Sequence, residues 1–502
     1  MALSRKPIQI VEEGKHKLLS KANHWQRVYL KEIATVQNGF AFSSSLFSKS
    51  GGMPLIRIRD IDSAKTEDFY TGKYDNEFVV NHGDILIGMD GDFKAAYWKG
   101  DIALLNQRVC RIHLDTKLFN RAFLFYCLQP FLDAIHAETS SVTVKHLSSA
   151  TIQDLPLPLP PLNEQNRIVD KLDELLSELE KGKEQLQTSL EQLKVYRQSI
   201  LKHAFEGELT LTERKKKQFG DTKELVKQLR EKGKELNIKL KYPKIKDDEE
   251  LPNIPKEWLW IRNEELLKYV TSGSRDWKKY YSNAGSIFIR TQDIKTNNLS
   301  LENAAYVKLP TKAEGKRSLV EQNDILMTIT GANVGKVALI EKEIPEAYVS
   351  QSVALMKYLD SRLTKYMWYY FQSRAFGQGL ISNLVYGVGR PVLSLENMKE
   401  VSVALCSIEE QEAVVNEIEN RFSVCDKMEA EILHSLNQIE PLKQGLLQKA
   451  FEGKLVEQDP KDEAASVLLE RIKKEREEFL TAEKGRKKVQ KKPIKNKALV
   501  NG

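Results

Sequence analysis

The sequence predicts an α+β chain carrying an internal tandem repeat: two mixed globular parts, each followed by one long helix, related by an approximate twofold axis. Three observations carry this. The segment from Pro161 to Thr210 recurs at a constant offset of 246 residues, so Gln165 matches Gln411 and Gly207 matches Gly453 with no net insertion between them. Upstream the repeat continues but drifts: Asp60-Ile61 answers Asp293-Ile294 at 233, Gly83-Asp84-Ile85-Leu86-Ile87 answers Asn323-Asp324-Ile325-Leu326-Met327 at 240, and Leu105-Asn106-Gln107-Arg108-Val109 answers Val349-Ser350-Gln351-Ser352-Val353 at 244. The globular parts alternate short β-branched runs with longer apolar stretches. Two repeats of this length do not make a solenoid; they suit two domains about a twofold.

Composition bounds the class. A chain of 502 residues with 41% hydrophobic and 29% charged content is expected to be a soluble globular protein with long exposed helices. No run of 18 apolar residues occurs and the stretch from Met1 to Lys21 has no apolar signal core, so a cytoplasmic protein without a membrane partner is expected. Cys110, Cys127, Cys406 and Cys425 lack metal or disulfide spacing and read as buried hydrophobes. The net charge of +7 is modest, but Lys484, Arg486, Lys487, Lys488, Lys491, Lys492, Lys495 and Lys497 crowd the end of the chain. Such a block is ordinarily solvated and disordered, and it adds nonspecific attraction for phosphate.

Trp25 and Trp258 open the two copies. Strands are expected at Met53 to Ile58, Asp84 to Gly88 and Val109 to Leu114, and again at Ser286 to Arg290, Asp324 to Thr330, Val337 to Ile340 and Val353 to Tyr358. Helices are expected at Asn120 to Ala137 and Ser361 to Gln378. A single strongly bent sheet in each part is the anticipated arrangement.

The two long helices are marked by their apolar spacing. Ile168, Leu172, Leu175, Leu179, Leu186, Leu193, Tyr196 and Ile200 step by four and three, the a/d seam of a coiled coil. The second seam, Val414, Ile418, Cys425, Met428, Ile432, Ile439, Leu442 and Leu446, is rougher, and Pro441 is expected to bend its last third. Pro158, Pro160 and Pro161 block backward extension of the first helix, Ser407 with Glu410 has the form of a capping box, and Gly207 and Gly453 sit where a left-handed C-terminal residue belongs. About forty residues at 1.5 Å each give a rod roughly 60 Å long. Two diverged copies that keep one length point to a spacer. The charged linker from Glu213 to Glu250 holds one short amphipathic helix around Leu225, Val226 and Leu229, answered after the second copy by Leu468, Leu469 and Ile472.

Groups for catalysis are not assembled by the sequence. Gly331-Ala332-Asn333-Val334-Gly335-Lys336-Val337 is one residue short of a phosphate loop and has no Ser or Thr after the lysine, so it reads as a tight turn. The histidines do not fall at metal-ligand spacing with one another or with cysteine, and no metal site or catalytic residue is expected.

A chain with two diverged parts, each followed by Pro161-Leu162-Asn163-Glu164-Gln165 or its counterpart Ser407-Ile408-Glu409-Glu410-Gln411 and a long helix closing in Ala204-Phe205-Glu206-Gly207 or Ala450-Phe451-Glu452-Gly453, resembles the specificity subunit of type I restriction-modification systems. The segment Asp459 to Ile472 is similar to the stretch after the second helix in that family. The resemblance implies two target-recognition domains, each reading one half of a bipartite sequence in double-stranded DNA, held apart by an antiparallel coiled coil. It also implies two methyltransferase subunits and, in the full complex, two restriction subunits as partners, with S-adenosylmethionine, ATP and magnesium on those partners and no cofactor on this chain. The alternatives are a DNA adenine methyltransferase with an unrecognised site and a coiled-coil scaffold that binds protein.

The expected domain map is an N-terminal extension over 1–22, target-recognition domain 1 over 23–160, spacer helix 1 over 161–209, linker over 210–252, target-recognition domain 2 over 253–406, spacer helix 2 over 407–456, a C-terminal helix over 457–480 and a basic disordered tail over 481–502. Base readers are sought among loop groups with paired donors or acceptors, Arg for guanine and Asn or Gln for adenine. These are Arg57, Arg59 and Asp60 in the first domain and Arg290, Gln292 and Asp293 in the second, with Asn38, Lys94, Lys145, Lys336, Tyr386 and Arg390 as further loop groups.

Overall fold

The computed structural model describes residues 5–139, 145–238, 243–246, 248–274, 277–310 and 315–490. They form two compact units, one from 1–185 and 435–502, the other from 186–434. Two helices of 44 residues, Leu162–Phe205 and Ile408–Phe451, each contribute one part to either unit.

In the first unit, β1 (Ala34–Asn38), β2 (Ile85–Gly88), β3 (Ala95–Tyr97) and β4 (Val109–Leu114) form an antiparallel sheet in the order β1-β4-β2-β3. Ile112 lies opposite both Val36 and Ile85. Because side chains alternate across a strand, Ile85, Ile87, Cys110 and Ile112 face helix Arg121–Glu138 through Phe123, Leu124 and Cys127. Leu86 and Val109 face the opposite way, onto Ile56, Val80 and Leu105. Those belong to a second sheet in which Met53–Ile56 runs parallel to Ala103–Leu105. A ribbon of Gln26–Tyr29 and Pro156–Leu159 leads into the first long helix.

The second unit repeats this plan. Strands β5 (Leu267–Ser272), β6 (Ile325–Thr328), β7 (Val337–Leu339) and β8 (Val353–Tyr358) pair antiparallel in the order β5-β8-β6-β7. Ile325, Met327, Ala354 and Met356 pack with Tyr366, Met367 and Tyr370, while Leu326, Val353 and Leu355 pack with Ile287, Ile289 and Val349 of the other sheet. Ser286–Ile289 and Ala347–Val349 give the same parallel pair, and Leu259–Arg262 with Ser402–Leu405 the same ribbon. The single bent sheet expected from the sequence is therefore two sheets and a ribbon in each unit. The central strands are apolar on both faces and need cover on both. The helix expected at Ser361 to Gln378 is also divided, into a 3-10 turn, Thr364–Gln372 and, beyond a break, Gly377–Leu384.

The repeated Asp-Ile-Leu motif has a structural reason. Asp84 accepts the backbone N–H of Asn81 at 3.0 Å and meets Arg111 Nη1 of β4 at 3.1 Å. Asp324 accepts from Glu321 N at 2.7 Å and meets Lys357 Nζ of β8 at 2.7 Å. Burial raises the Asp324 carboxyl pKa, and the Lys357 ammonium works against that rise.

Inside each unit the start of one long helix is joined to the end of the other. In the first, Ile168, Val169 and Leu172 share a core with Leu447, Ala450 and Phe451, and Arg167 Nη2 holds Asp462 just beyond the second helix at 2.7 Å. In the second, Glu410 Oε1 accepts from Thr210 Oγ1 at 2.7 Å and Arg214 Nη1 at 2.5 Å, while Arg214 Nη2 donates to the Gly207 carbonyl at 2.5 Å. The pair is thus antiparallel where either unit shows it. The two helices keep the 246-residue offset at both ends, Leu162 to Ile408 and Phe205 to Phe451.

Some details match expectation and others differ. Glu410 does not close a capping box: Ser407 Oγ accepts the Glu410 N–H at 3.3 Å, but the carboxylate turns to Thr210 and Arg214. Pro441 lies inside the second long helix, which continues on both sides of it. Seam residues Ile168, Leu172, Leu193, Ile200, Val414, Ile418 and Cys425 are buried, Leu175, Leu179, Leu186, Ile432, Ile439 and Leu446 half-buried, whereas Met428 is 51% exposed and Tyr196 and Leu442 are similarly open. The continuous seam is confined to the helix ends, where the globular parts supply the rest of the core. Gly207 and Gly453 take φ of +72° and +66°, as a left-handed helix terminus requires. All four cysteines are buried and free. The linker helix is Thr222–Glu235 with Leu225, Val226 and Leu229 inward. The C-terminal helix is Ala465–Gln490, so the expected boundary at 480 is corrected: residues 481–490 of the basic segment continue the helix, and no proline interrupts it between Ala465 and Gln490. Lys491, Lys492, Lys495 and Lys497 lie outside the described residues.

Candidate nucleic-acid interface

In the first unit backbone bonds tie three segments into one frame, and an ion pair adds a fourth. The turn between β2 and β3 closes with Gly88 N to the Lys94 carbonyl at 2.9 Å. Met89 N donates to the Arg108 carbonyl at 2.9 Å, Gly91 N to the Lys145 carbonyl at 3.1 Å, and Leu147 N to the Met89 carbonyl at 2.7 Å. The short helix Asp60–Ser63 lies against the same turn, where Lys94 Nζ meets Asp62 Oδ2 at 2.5 Å.

The second unit builds the same frame bond for bond. Thr328 N donates to the Lys336 carbonyl at 2.9 Å, Ile329 N to the Ser352 carbonyl at 2.9 Å, Gly331 N to the Pro391 carbonyl at 2.8 Å, and Leu393 N to the Ile329 carbonyl at 2.9 Å. Lys94 therefore corresponds to Lys336. The remaining side chains diverge: Asp90 is matched by Thr330, Arg108 by Ser352, Lys145 by Pro391 and His146 by Val392. Gly331 to Lys336 is the tight turn the sequence suggests.

Individual candidates fare differently. Asp60 and Asp293 are buried and turn inward, accepting the backbone N–H of Arg57 at 2.9 Å and of Arg290 at 2.8 Å. Each carboxylate thus helps to close its own turn, a structural task beside the base contact expected of it. Arg57 Nε and Arg59 Nη2 converge on buried Asp68 at 2.8 and 2.7 Å, and Arg57 also lies over the Phe47 ring. The Lys49 ammonium, with Arg57 and Arg59 adding to it, keeps the Asp68 carboxyl below its ordinary pKa against the opposing effect of burial. Arg290 is tied to Asp293 and the Asn303 carbonyl, and the Gln292 amide oxygen faces its guanidinium at 3.0 Å. Lys145 Nζ donates to the His136 carbonyl at 2.6 Å, and Asn38 Nδ2 to Ser149 Oγ at 3.1 Å. Tyr386 and Arg390 are exposed on one loop beside the Gly331 turn, and Lys336 is half-buried within that turn.

Two groups were missed in the sequence. Arg108, at φ +71°, carries a side chain 59% exposed whose only ion pair among the described residues is Asp90 Oδ2 at 3.5 Å. His146 Nδ1 lies 2.5 Å from the other oxygen of the same carboxylate. Arg108 lies inside a repeat segment that the sequence does reveal, but no glycine announces its left-handed turn. A guanidinium held this loosely can leave a carboxylate for a phosphate or a guanine edge at small cost, because exposed ion pairs contribute at most about 1 kcal/mol.

Among the described residues, His203, Glu206 and Glu208 form a group that could hold a metal ion. The positions 246 further on are Lys449, Glu452 and Lys454, a poor ligand set, so the repeat does not share this chemistry. Among the same residues no helix is long and apolar enough to cross a membrane.

Two units with one frame and different loop chemistry define a protein with two related recognition heads. The family model for the type I restriction modification DNA specificity domain matches twice, over 23–188 and 255–438, and the chain belongs to that family. It is a type I restriction-modification specificity subunit. It is 35% identical to the EcoBI specificity subunit of Escherichia coli over 93% of this chain and 96% of that one. With the EcoKI specificity subunit of Escherichia coli strain K12 it shares 22% identity over 90% of this chain and 95% of the other. A solved structure described as bearing on complex assembly and conformational transition of the type I restriction-modification system has a like fold, with a TM-score of 0.56 at 16% identity over 86% of this chain and 99% of that one.

Proposed function

We propose that each unit reads one half of a bipartite site in double-stranded DNA through the loops that meet at the Met89 to Lys94 turn and at the Ile329 to Lys336 turn. The observation that carries this is the shared backbone frame with divergent side chains: a common mount and a variable reading surface are what two unlike half-sites require. The long helices fix the gap between halves, and their partly uncovered middle stretch recruits two methyltransferase subunits, joined in the full complex by two restriction subunits. The chain supplies sequence choice and no catalytic group. S-adenosylmethionine, ATP and magnesium belong to those partners, and the complex works in the cytoplasm. Neither an adenine methyltransferase with its own site nor a protein-binding scaffold is favoured by the family membership.

Reconstitution tests the reading. Mixed with its cognate methyltransferase subunit, the chain should confer adenine methylation at one bipartite sequence. The methyltransferase alone should leave that sequence unmodified, and equal methylation without this chain would refute the proposal.

A further inference from the structure

The loop from Tyr386 to Val392 is shaped for something outside the fold. Reciprocal backbone bonds join its ends, Tyr386 N to the Val392 carbonyl at 3.0 Å and Val392 N to the Tyr386 carbonyl at 2.8 Å. Its base is fastened to the Gly331 turn through the Pro391 carbonyl and Leu393 N. At the tip Gly387 and Gly389 take φ of +97° and +83°, and a Cβ on Gly387 would stand 2.8 Å from the Arg390 carbonyl. Glycine is needed there because a side chain is strained in that region. Between the two glycines Val388 is 108% exposed, flanked by exposed Tyr386 and Arg390. A β-branched apolar side chain so placed buries nothing in its own fold.

We propose that Val388 is a base-reading residue of the second unit, its isopropyl group packing against the C5-methyl of a thymine in the major groove while Tyr386 and Arg390 donate to the flanking edges or phosphates. The proposal rests on the reading that this unit binds duplex DNA. The chemistry favours a methyl contact. The thymine methyl is the one apolar feature on a major-groove base edge, and a valine is short beside the Phe, Leu, Ile, Met or Pro wedges that unstack bases. The glycines let the loop project this group clear of the frame, and the double backbone bond keeps it there. The corresponding positions of the first unit fall outside the described residues, so the assignment is made for the second half-site alone.

Uracil, which differs from thymine only in lacking that methyl, is the probe. The reconstituted complex is given duplexes in which each thymine of the half-site read by the second unit is replaced in turn. The wild-type complex should methylate one of these about fourfold more slowly, the effect of one buried methyl-sized group. Val388→Ala should methylate thymine and uracil duplexes alike, keep the first half-site unchanged and melt at the wild-type temperature. Acceptance of uracil at every position, an equal uracil penalty in wild type and variant, or a half-site without thymine would each overturn the proposal. If the wild-type complex methylates no bipartite site at all, the underlying DNA reading has failed and the assignment falls with it.

Discussion

Arg108 differs, at the level of single residues, from the arginines that hold the fold together. Arg57, Arg59 and Arg290 carry the same guanidinium but are tied to Asp68 or Asp293, and their first task is to shape a turn. Arg108 has one long ion pair and an exposed fork. Arg108→Ala should relax base choice at one position of the first half-site by about 1–3 kcal/mol, roughly 5- to 150-fold, and leave the second half-site as it was. Arg108→Lys should keep affinity at low salt without restoring that choice, since a point charge cannot replace a bidentate fork. Methylation rates on a duplex library check both, and a uniform loss across all sequences would place Arg108 on phosphate. The sequence marks arginines and not their partners: Arg57 and Arg108 look alike until Asp68 is seen to be near one and Asp90 only loosely near the other.

The elements that join the helices make two further predictions. Glu410 and Arg214 are both largely buried, so Arg214→Ala strands a carboxylate and should cost about 3–5 kcal/mol in denaturant unfolding. Glu410→Gln, which removes the charge and keeps hydrogen bonding to Thr210, should cost less; the reverse order would contradict this role. Asp462 is held below its ordinary pKa, first by the hydrogen bond to Arg167 and against the opposing effect of burial. A carboxyl with a depressed folded pKa stabilises fully above its unfolded value of about 3.9 and loses that contribution as pH falls through the folded value. The stability difference between wild type and Asp462→Asn should thus be flat from pH 7 to 5 and shrink below about pH 4, as followed by thermal melts. At this scale much was legible, because helix ends carry local signals: Gly207 and Gly453 mark the termini, and β4 and β8 match their sequence runs residue for residue. The division into two sheets was not, since strand order depends on contacts between residues far apart in sequence. Nor was the exposure of Met428, as the heptad pattern does not say where a partner helix lacks globular cover.

For the whole molecule, equal helices are the feature with the largest consequence. With each unit joining the start of one helix to the end of the other, a length change in one helix alone opposes two sets of contacts. Four residues inserted into one helix should therefore destabilise the chain. Four inserted at matched positions in both add about 6 Å, close to two base steps at about 3.4 Å each. The recognised gap should then grow by about two base pairs with both half-sites unchanged, and an altered half-site would refute the spacer role. The tandem plan itself was plain in the sequence from the 246-residue offset, while the contacts that join helix ends inside each unit needed the positions of Glu410, Arg214, Arg167 and Asp462.

In the proposed function this one chain sets a bipartite DNA sequence for partners that do the chemistry. Sequencing of methylated bases in a host carrying the gene and its cognate methyltransferase, before and after deletion of this gene alone, tests it most directly. A single adenine motif made of two short halves separated by a fixed gap should disappear. An unchanged methylation pattern, or loss of an uninterrupted motif, would contradict it.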